Sequence, residues 1–237
     1  MEQATTSTAG PARLILLRHG QASLGTDDYD RLSPLGKSQA RALRARLAEA
    51  GSKDEVVVSG SLKRQRQTVA GLGRTEQASI DESLNEYTVD RLIRSTMAQA
   101  ESLDIAVPQE EAFANPQAYL MTFLEWFPQV LALWQAARLE CEHNGLWADF
   151  HARVTSPIQS WTELVASGKT VVVVSSAGVI STVVSELLGE ELAWQRDLNV
   201  RLYNASLTQL RLDEQGRWQA ERVNCVDHLD ADDVTLA

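Results

Sequence analysis

Cysteine is scarce in this sequence of 237 residues, which contains only Cys141 and Cys225. Neither cysteine belongs to a C-x-x-C pair, and two cysteines cannot form the disulfide framework of a small secreted protein. A reducing cytoplasm is therefore the expected location, because disulfides persist mainly in oxidising compartments. A single disulfide between these two residues stays open at this point.

Long apolar runs are also missing. No stretch of about eighteen apolar residues occurs, so no membrane-spanning helix is predicted. The first residues are polar and rich in threonine, alanine and serine, and they lack the apolar centre of a signal peptide. We expect residues 1–11 to form a flexible tail and residues 12–237 to form one domain, which is long enough to bury a substantial core.

An excess of positive charge is absent as well. The chain has 22 lysines and arginines against 32 aspartates and glutamates, which gives a net charge of −10. Proteins that bind nucleic acids usually present a basic face, so this balance argues against a nucleic-acid partner. It leaves room for a local basic pocket that binds a small anion. No metal-ligand spacing occurs either, so we expect no metal and no other cofactor.

Strands and helices are predicted to alternate along the chain. Apolar runs such as residues 14–17 indicate strands buried on both faces, and Ser33-Pro34 is a typical helix start. This order predicts an α/β fold with a doubly wound, mostly parallel sheet and helices on both faces. Strands are predicted at 14–17, 55–59, 79–87, 170–174, 206–212 and 218–223, and helices at 34–50, 62–72, 146–167 and 177–188.

Residues 90–145 show an irregular helical pattern with several aromatic side chains. We interpret this region as an inserted helical subdomain over the edge of the sheet. Pro128 is predicted to kink or split the apolar helix over 119–137, because proline lacks the backbone N–H that a helix interior needs. Pro157 is predicted to interrupt the helix over 146–167 for the same reason.

Chemically useful residues stand where the predicted strands end. Arg18 and His19 follow the first buried strand, Arg64 lies one turn into a helix after the second, and Ser176 follows the clearest valine-rich strand. Ligands of open α/β sheets bind at the carboxyl ends of strands. Arginine is a forked donor that suits phosphate, and histidine can act as a nucleophile. Taken alone, Arg18, His19 and Gly20 also fit an ordinary strand end that has no functional role.

Four segments together resemble the histidine phosphatase superfamily, the phosphoglycerate mutase-like group. Their order and spacing agree with that family over residues 13–87, and the strand at 170–180 also aligns. The segments read LRHG at 17–20, LSPLGKSQA at 32–40, SLKRQRQT at 61–68 and LNE at 84–86. The joint match is far more specific than any one of these short motifs.

The resemblance implies a role for each matching residue. His19 would attack phosphorus and form a phosphohistidine, and Glu86 would protonate the leaving oxygen and later take a proton from water. Arg18 and Arg64 would hold the oxygens over which the transition-state charge spreads. Ser176 would bind the substrate phosphate from a helix N-terminus, although a plain helix N-cap role suits it equally well.

One position departs from the family pattern. The family normally has a second histidine where this chain has Ser176, and a bacterial branch is similar to this chain in carrying a serine there. That branch also ends on N-x-x-x-H-L, here residues 224–229 with His228. The substitution removes one potential positive charge, worth about 3 kcal/mol in such a site. Gln21 and His228 are further candidate site residues.

The sequence therefore predicts a phosphatase of small phosphomonoesters, a small phosphorylated substrate, and neither a nucleic-acid nor a membrane partner. A homodimer stays open. A phosphoglycerate mutase is one alternative, but the insert has Arg91 and Arg94 without the proline run of the mutases, which favours hydrolysis. A catalytically weak phosphate-binding module is the other alternative, and Ser176 motivates it.

Overall fold

A computed structural model describes residues 11–23, 28–50, 54–109, 112 and 115–236. The predicted tail over residues 1–11 lies, apart from Pro11, outside the described residues. The strands are β1 Leu14–Arg18, β2 Glu55–Ser59, β3 Ala78–Ile80, β4 Thr170–Ser175, β5 Leu207–Leu212 and β6 Trp218–Cys225. The helices are α1 Pro34–Ala50, α2 Lys63–Leu72, α3 Val89–Ala98, α4 Ala100–Leu103, α5 Pro116–Gln135, α6 Trp147–Thr155, α7 Ile158–Ala166, α8 Ala177–Leu188 and α9 Leu192–Arg201.

The described strands form one sheet in the order β3-β2-β4-β1-β5-β6. Strands β3, β2, β4 and β1 pair in parallel. Strand β5 pairs antiparallel with both β1 and β6. Strands β1 and β4 are neighbours, and Arg18 lies opposite Ser175 at their carboxyl ends. The mostly parallel sheet that the sequence predicts is therefore confirmed, and β1 and β4 end side by side.

Helices cover both faces of this sheet, as predicted. Leu14 and Leu16 of β1 pack into one apolar cluster with residues of α5, α6 and α8. Ile15 and Leu17 point to the other face, where they pack with Leu43 of α1 and other residues of α1 and α2. Successive side chains of a strand alternate between faces, so a continuous apolar run suits a strand in a sheet that is covered by helices on both faces.

The segment predicted as an insert contains helices α3, α4 and α5. Phe127 and Trp134 of α5 are buried in the same apolar cluster as Leu14 of the sheet. The split that was one expected effect of Pro128 is absent, because α5 runs continuously through this residue. Phe127 and Leu131 on either side of the proline are almost fully buried, and this packing compensates for the missing backbone hydrogen bond.

Two elements differ from the sequence prediction, and one predicted interruption is confirmed. The strand expected over 79–87 ends at Ile80, because β3 is a polar edge strand and the chain then enters a short 3₁₀ turn. The interruption predicted at Pro157 in the helix over 146–167 is confirmed, because α6 and α7 are separate helices with Pro157 at the break. Helix α9 was missed because it buries polar side chains such as Gln195 and Asn199, which give no apolar periodicity.

The two cysteines are both free thiols. Cys141 is buried in the apolar cluster around α5, and Cys225 lies at the end of β6. None of the described helices has the length and apolar character needed to cross a membrane. Within the same residues, no group of three histidine, cysteine or acidic side chains is arranged to bind a metal ion.

Candidate active site

A cavity of about 620 Å³ opens at the carboxyl ends of the parallel strands. The structure brings together in its wall the five residues for which the sequence predicts a catalytic or phosphate-binding role. They arrive on separate elements: β1, the start of α2, the segment after β3 and the turn into α8. The five are Arg18, His19, Arg64, Glu86 and Ser176.

His19 lies in this wall with only 4% of its surface exposed. Its Nδ1 is 2.7 Å from the carbonyl oxygen of Gly20, and a carbonyl only accepts hydrogen bonds, so the ring proton is on Nδ1. Nε2 consequently carries a lone pair, which accepts a hydrogen bond from Nε of Arg64 at 3.1 Å. Burial and the nearby charges of Arg64 and Arg18 hold the pKa of His19 well below its usual value.

Arg64 is fixed by an acidic residue that sequence reasoning did not select. Its Nη1 donates to Oδ1 of Asp30 at 2.6 Å, and its guanidinium lies 5.7 Å from the ring centre of Tyr29. The other oxygen of Asp30 accepts the backbone N–H of Lys63 at the start of α2, where a carboxylate is favoured by the helix dipole. Asp30 therefore orients the guanidinium toward Nε2 of His19.

Arg18 approaches the cavity from the end of β1. Its Nη1 donates to the carbonyl oxygens of Leu202 and Leu236, and its buried Nε has no partner among the described residues. Burial lowers the pKa of Arg18 to about 10, so the side chain stays cationic at neutral pH. An unpaired buried N–H on a cation is a strong donor for an anionic oxygen.

Glu86 lies in the wall of the same cavity. Its Oε2 accepts the backbone N–H of Gly178 at 2.7 Å, and its Oε1 accepts that of Tyr87 at 3.2 Å. Burial is the largest influence on this carboxyl group and raises its pKa above the usual value. A side chain at Gly178 would place a Cβ only 2.4 Å from Oε1 of Glu86, so glycine is required for this approach.

Ser176 occupies the N-cap position of α8, but its hydroxyl caps no helical N–H. Its Oγ instead accepts a hydrogen bond from Nε2 of Gln65 at 3.0 Å. Ser176 is only 1% exposed and lines the cavity. Because Gln65 supplies the donor, the hydroxyl hydrogen of Ser176 is available for a ligand oxygen.

Comparison with known proteins gives the family. A sequence profile described as histidine phosphatase superfamily (branch 1) matches residues 14–119 and 120–226. The chain belongs to the histidine phosphatase superfamily. A search of curated proteins found no match.

Several solved structures share the fold of this histidine phosphatase chain. A mycobacterial glucosyl-3-phosphoglycerate phosphatase, solved with inorganic phosphate, is 25% identical over 92% of this chain and 100% of its own, with a TM-score of 0.59. The Mycobacterium tuberculosis open reading frame Rv3214 product is 18% identical over 91% and 98%, with a TM-score of 0.63. A variant of the Entamoeba histolytica phosphoserine phosphatase, solved with phosphoserine, is 17% identical over 92% and 99%, with a TM-score of 0.60.

Two further candidates from the sequence do not line the cavity of this superfamily member. Oε1 of Gln21 accepts a hydrogen bond from the hydroxyl of Ser33 at 2.8 Å. Nε2 of His228 lies 3.1 Å from the carbonyl oxygen of Ala205, whose backbone N–H bonds the carbonyl of His19. His228 thus contacts a residue that bonds the backbone of His19, and Gln21 contacts the start of α1.

A C-terminal segment also reaches the histidine phosphatase site, which the sequence did not indicate. Leu236 lines the cavity, and its carbonyl oxygen accepts a hydrogen bond from Arg18 at 2.7 Å. Gln39 of α1 is fully buried and donates to the carbonyl of Asp233 and to Oγ1 of Thr235. These hydrogen bonds join positions almost two hundred residues apart, and no local pattern signals such a pairing.

Proposed function

We propose that this protein hydrolyses small phosphomonoesters through a phosphohistidine on His19. The observation that carries the proposal is the neutral, buried His19, whose Nε2 lone pair lies in one cavity with Arg64, Arg18 and Glu86. A nucleophile, two cations for phosphate oxygens and a carboxyl group with a raised pKa are the parts that such a displacement needs. A mycobacterial relative solved with inorganic phosphate supports a phosphate ligand.

The first step transfers the phosphoryl group to the protein. Nε2 of His19 forms a bond to phosphorus while the ester P–O bond breaks on the opposite side. Glu86, whose pKa is raised by burial, in its acid form gives its proton to the leaving oxygen, and the alcohol departs. Arg18 and Arg64 stabilise the charge on the equatorial oxygens, and the Ser176 hydroxyl donates one further hydrogen bond.

The second step returns the protein to its starting state. Water attacks phosphorus as the P–N bond to His19 breaks, and the Glu86 carboxylate accepts the proton of that water. Inorganic phosphate then leaves the cavity. The Nδ1–H hydrogen bond to the Gly20 carbonyl keeps the ring oriented through both steps, since it fixes the tautomer that has its lone pair on Nε2.

The mutase alternative needs a further cation for the carboxylate of a phosphoglycerate. Arg91 and Arg94 on α3 do not supply it, because neither lines the cavity. Arg94 pairs instead with Asp90 at 2.8 Å on the exposed face of the helix. Hydrolysis is therefore favoured over transfer between two positions of a phosphoglycerate.

Turnover by the purified protein tests this proposal. We expect release of inorganic phosphate from p-nitrophenyl phosphate, and no isomerisation of phosphoglycerates at a comparable rate. Faster isomerisation than phosphate release would establish the mutase alternative. Binding of inorganic phosphate without any turnover would establish the phosphate-binding module.

Variants at Ser176 and His228 test whether Ser176, which lines the cavity, donates to the phosphate and whether His228, which does not line it, affects the rate. We expect Ser176→Ala to lower kcat/KM by about 10- to 100-fold, because one hydrogen bond to the charged phosphoryl group is lost. Ser176→His, which keeps a donor and adds a potential cation, should equal or exceed the wild type. His228→Ala serves as the comparison, and its loss should stay below about tenfold. Steady-state kinetics measure all three, and a hundredfold loss of kcat in His228→Ala at unchanged Tm would contradict this assignment.

A further inference from the structure

The wall of the cavity opposite the catalytic residues is apolar. It is built by α3 and α5, the helices of the segment between β3 and α6. The apolar and aromatic residues that these two helices contribute are Val89, Ile93, Tyr119, Leu120, Phe123 and Phe127. Ligand sites are mostly apolar with a few placed polar groups, and here the cationic groups are concentrated at the phosphate end.

Aromatic rings form a continuous series along this wall. Tyr119, Phe123 and Phe127 are spaced four residues apart, so they share one face of α5. Their ring centres are 6.3 Å and 4.6 Å apart in turn, and Phe127 lies 6.4 Å from the ring of Tyr87. Tyr119 is 41% exposed at the mouth, whereas Phe127 is 1% exposed. The series thus runs from solvent to the neighbour of Glu86.

Cationic groups are confined to the phosphate end. Arg18 and Arg64 are the only lysine or arginine side chains among the described residues that line the cavity. Both are committed to that end, since Arg64 donates to His19 and Asp30 and Arg18 lies on β1 beside His19. Residues 24–27, 110, 111, 113 and 114, which lie outside the described part, contain no lysine or arginine.

Acidic groups add to this imbalance. Asp30 and Asp90 both line the cavity beside Glu86. Asp30 neutralises part of the charge of Arg64, and Asp90 pairs with Arg94 on the exposed surface. A second anionic group on a substrate would meet carboxylates and rings without a compensating cation, which is unfavourable in a partly desolvated site.

We infer that the substrates of this site are phosphomonoesters of apolar or aromatic alcohols that carry no second anionic group. This inference rests on the proposed phosphatase function and narrows it. The ester oxygen lies near Glu86 when the phosphate is at His19, and the organic group then extends along the rings of α5 toward Tyr119. The chemistry differs from that of phosphoserine or a phosphoglycerate, each of which presents a carboxylate.

Three synthetic esters with the same type of leaving oxygen test the substrate class. Benzyl phosphate has the ring alone, para-carboxybenzyl phosphate adds one anion at the far end, and ethyl phosphate lacks the ring. We expect kcat/KM for benzyl phosphate to exceed that for ethyl phosphate by about tenfold or more, because the ring is buried on α5. We expect a similar advantage over para-carboxybenzyl phosphate, because the added charge is unpaired.

Variants of the wall test whether it is the source of the preference. Phe123→Ala should reduce kcat/KM for benzyl phosphate more than that for ethyl phosphate, and Phe123→Leu provides a second test if the alanine variant is unstable. Met121→Ala is the matched control, because Met121 is half-exposed on the same helix and does not line the cavity. Asp90→Asn should raise kcat/KM for para-carboxybenzyl phosphate relative to benzyl phosphate by several-fold.

The outcomes distinguish this inference from the proposed function. If the protein turns over all three esters but prefers the carboxylated or the ethyl ester, the inference is wrong and the phosphatase function stands. The inference is also wrong if the benzyl preference survives in both Phe123 variants. If none of the three esters is hydrolysed, the proposed function fails and the inference fails with it. Preference for benzyl phosphate that is lost in the Phe123 variants and kept in Met121→Ala supports both.

Discussion

Replacing His19 by alanine is expected to abolish phosphomonoester hydrolysis, with kcat lowered about ten-thousandfold or more, as when other enzymes lose a covalent nucleophile. The effect is large because the phosphoryl bond is formed to Nε2 of His19 itself. Arg64 and Arg18 hold oxygens, and Glu86 is placed to move protons. Phosphate release from p-nitrophenyl phosphate, measured at saturating substrate, gives the loss directly.

Loss of activity through unfolding has to be separated from loss of the nucleophile. His151→Ala is the matched control, because His151 is partly exposed on α6 and pairs with Glu186 outside the cavity. We expect this control to keep its activity and both variants to keep cooperative unfolding with a similar Tm. A His19→Ala protein that retains most of its kcat would show that another group attacks phosphorus.

Glu86→Gln is expected to have the second largest effect, and its size should depend on the leaving group. Glutamine keeps the shape of the side chain but has no proton to give to the ester oxygen. General acid catalysis typically contributes about 10²- to 10⁴-fold, so we expect a loss in that range for an alkyl phosphate. p-Nitrophenyl phosphate should lose much less, because an acidic phenol leaves without protonation. The measurement compares kcat of the variant on both esters.

The pH profile of the same variant provides an independent test. Burial raises the pKa of Glu86 above 4.5, so the acid form persists to higher pH than in a free glutamate. We expect kcat/KM to fall as pH rises through the raised pKa of Glu86. Burial and two arginines lower the pKa of His19 below 6.5, so the nucleophile is lost only on a limb below pH 6.5. Glu86→Gln should remove the alkaline limb for an alkyl phosphate and leave the acid limb.

Glu82→Gln is the matched control for this experiment, because Glu82 is exposed in the 3₁₀ turn just before Glu86 and does not line the cavity. It should behave as the wild type in rate, leaving-group dependence and pH profile. Equal losses of Glu86→Gln on alkyl and p-nitrophenyl esters, with an unchanged alkaline limb, would contradict a proton-transfer role and indicate that Glu86 only holds the turn at Gly178.

Much of the site could be predicted because its residues follow buried strands. The apolar run before Arg18 and the valines before Ser176 identify strands with covered faces, and parallel strands that end together bring their next residues together. Arg64 could be predicted from its place one turn into the helix after β2. The family resemblance added Glu86, whose placement depends on the segment after β3. Local patterns and ordered motifs carry this information without any knowledge of the packing.

Other parts of the site could not be predicted, because they depend on contacts between distant segments. Asp30 is one of several acids in a loop, and only the structure shows that its carboxylate joins Arg64 to the start of α2. Leu236 reaches Arg18 only because Gln39 and Asn204 bond the segment before it. Such long-range hydrogen bonds leave no periodic signal in the sequence.

The stereochemical course at phosphorus tests the central claim most directly, because it counts the displacements that occur between ester and phosphate. A chiral thiophosphate monoester, hydrolysed by the wild-type protein in isotopically labelled water, gives a product whose configuration can be determined. Each in-line displacement inverts phosphorus. A phosphohistidine on His19 requires two displacements and predicts overall retention. Overall inversion would show that water attacks the ester directly and would contradict nucleophilic catalysis by His19.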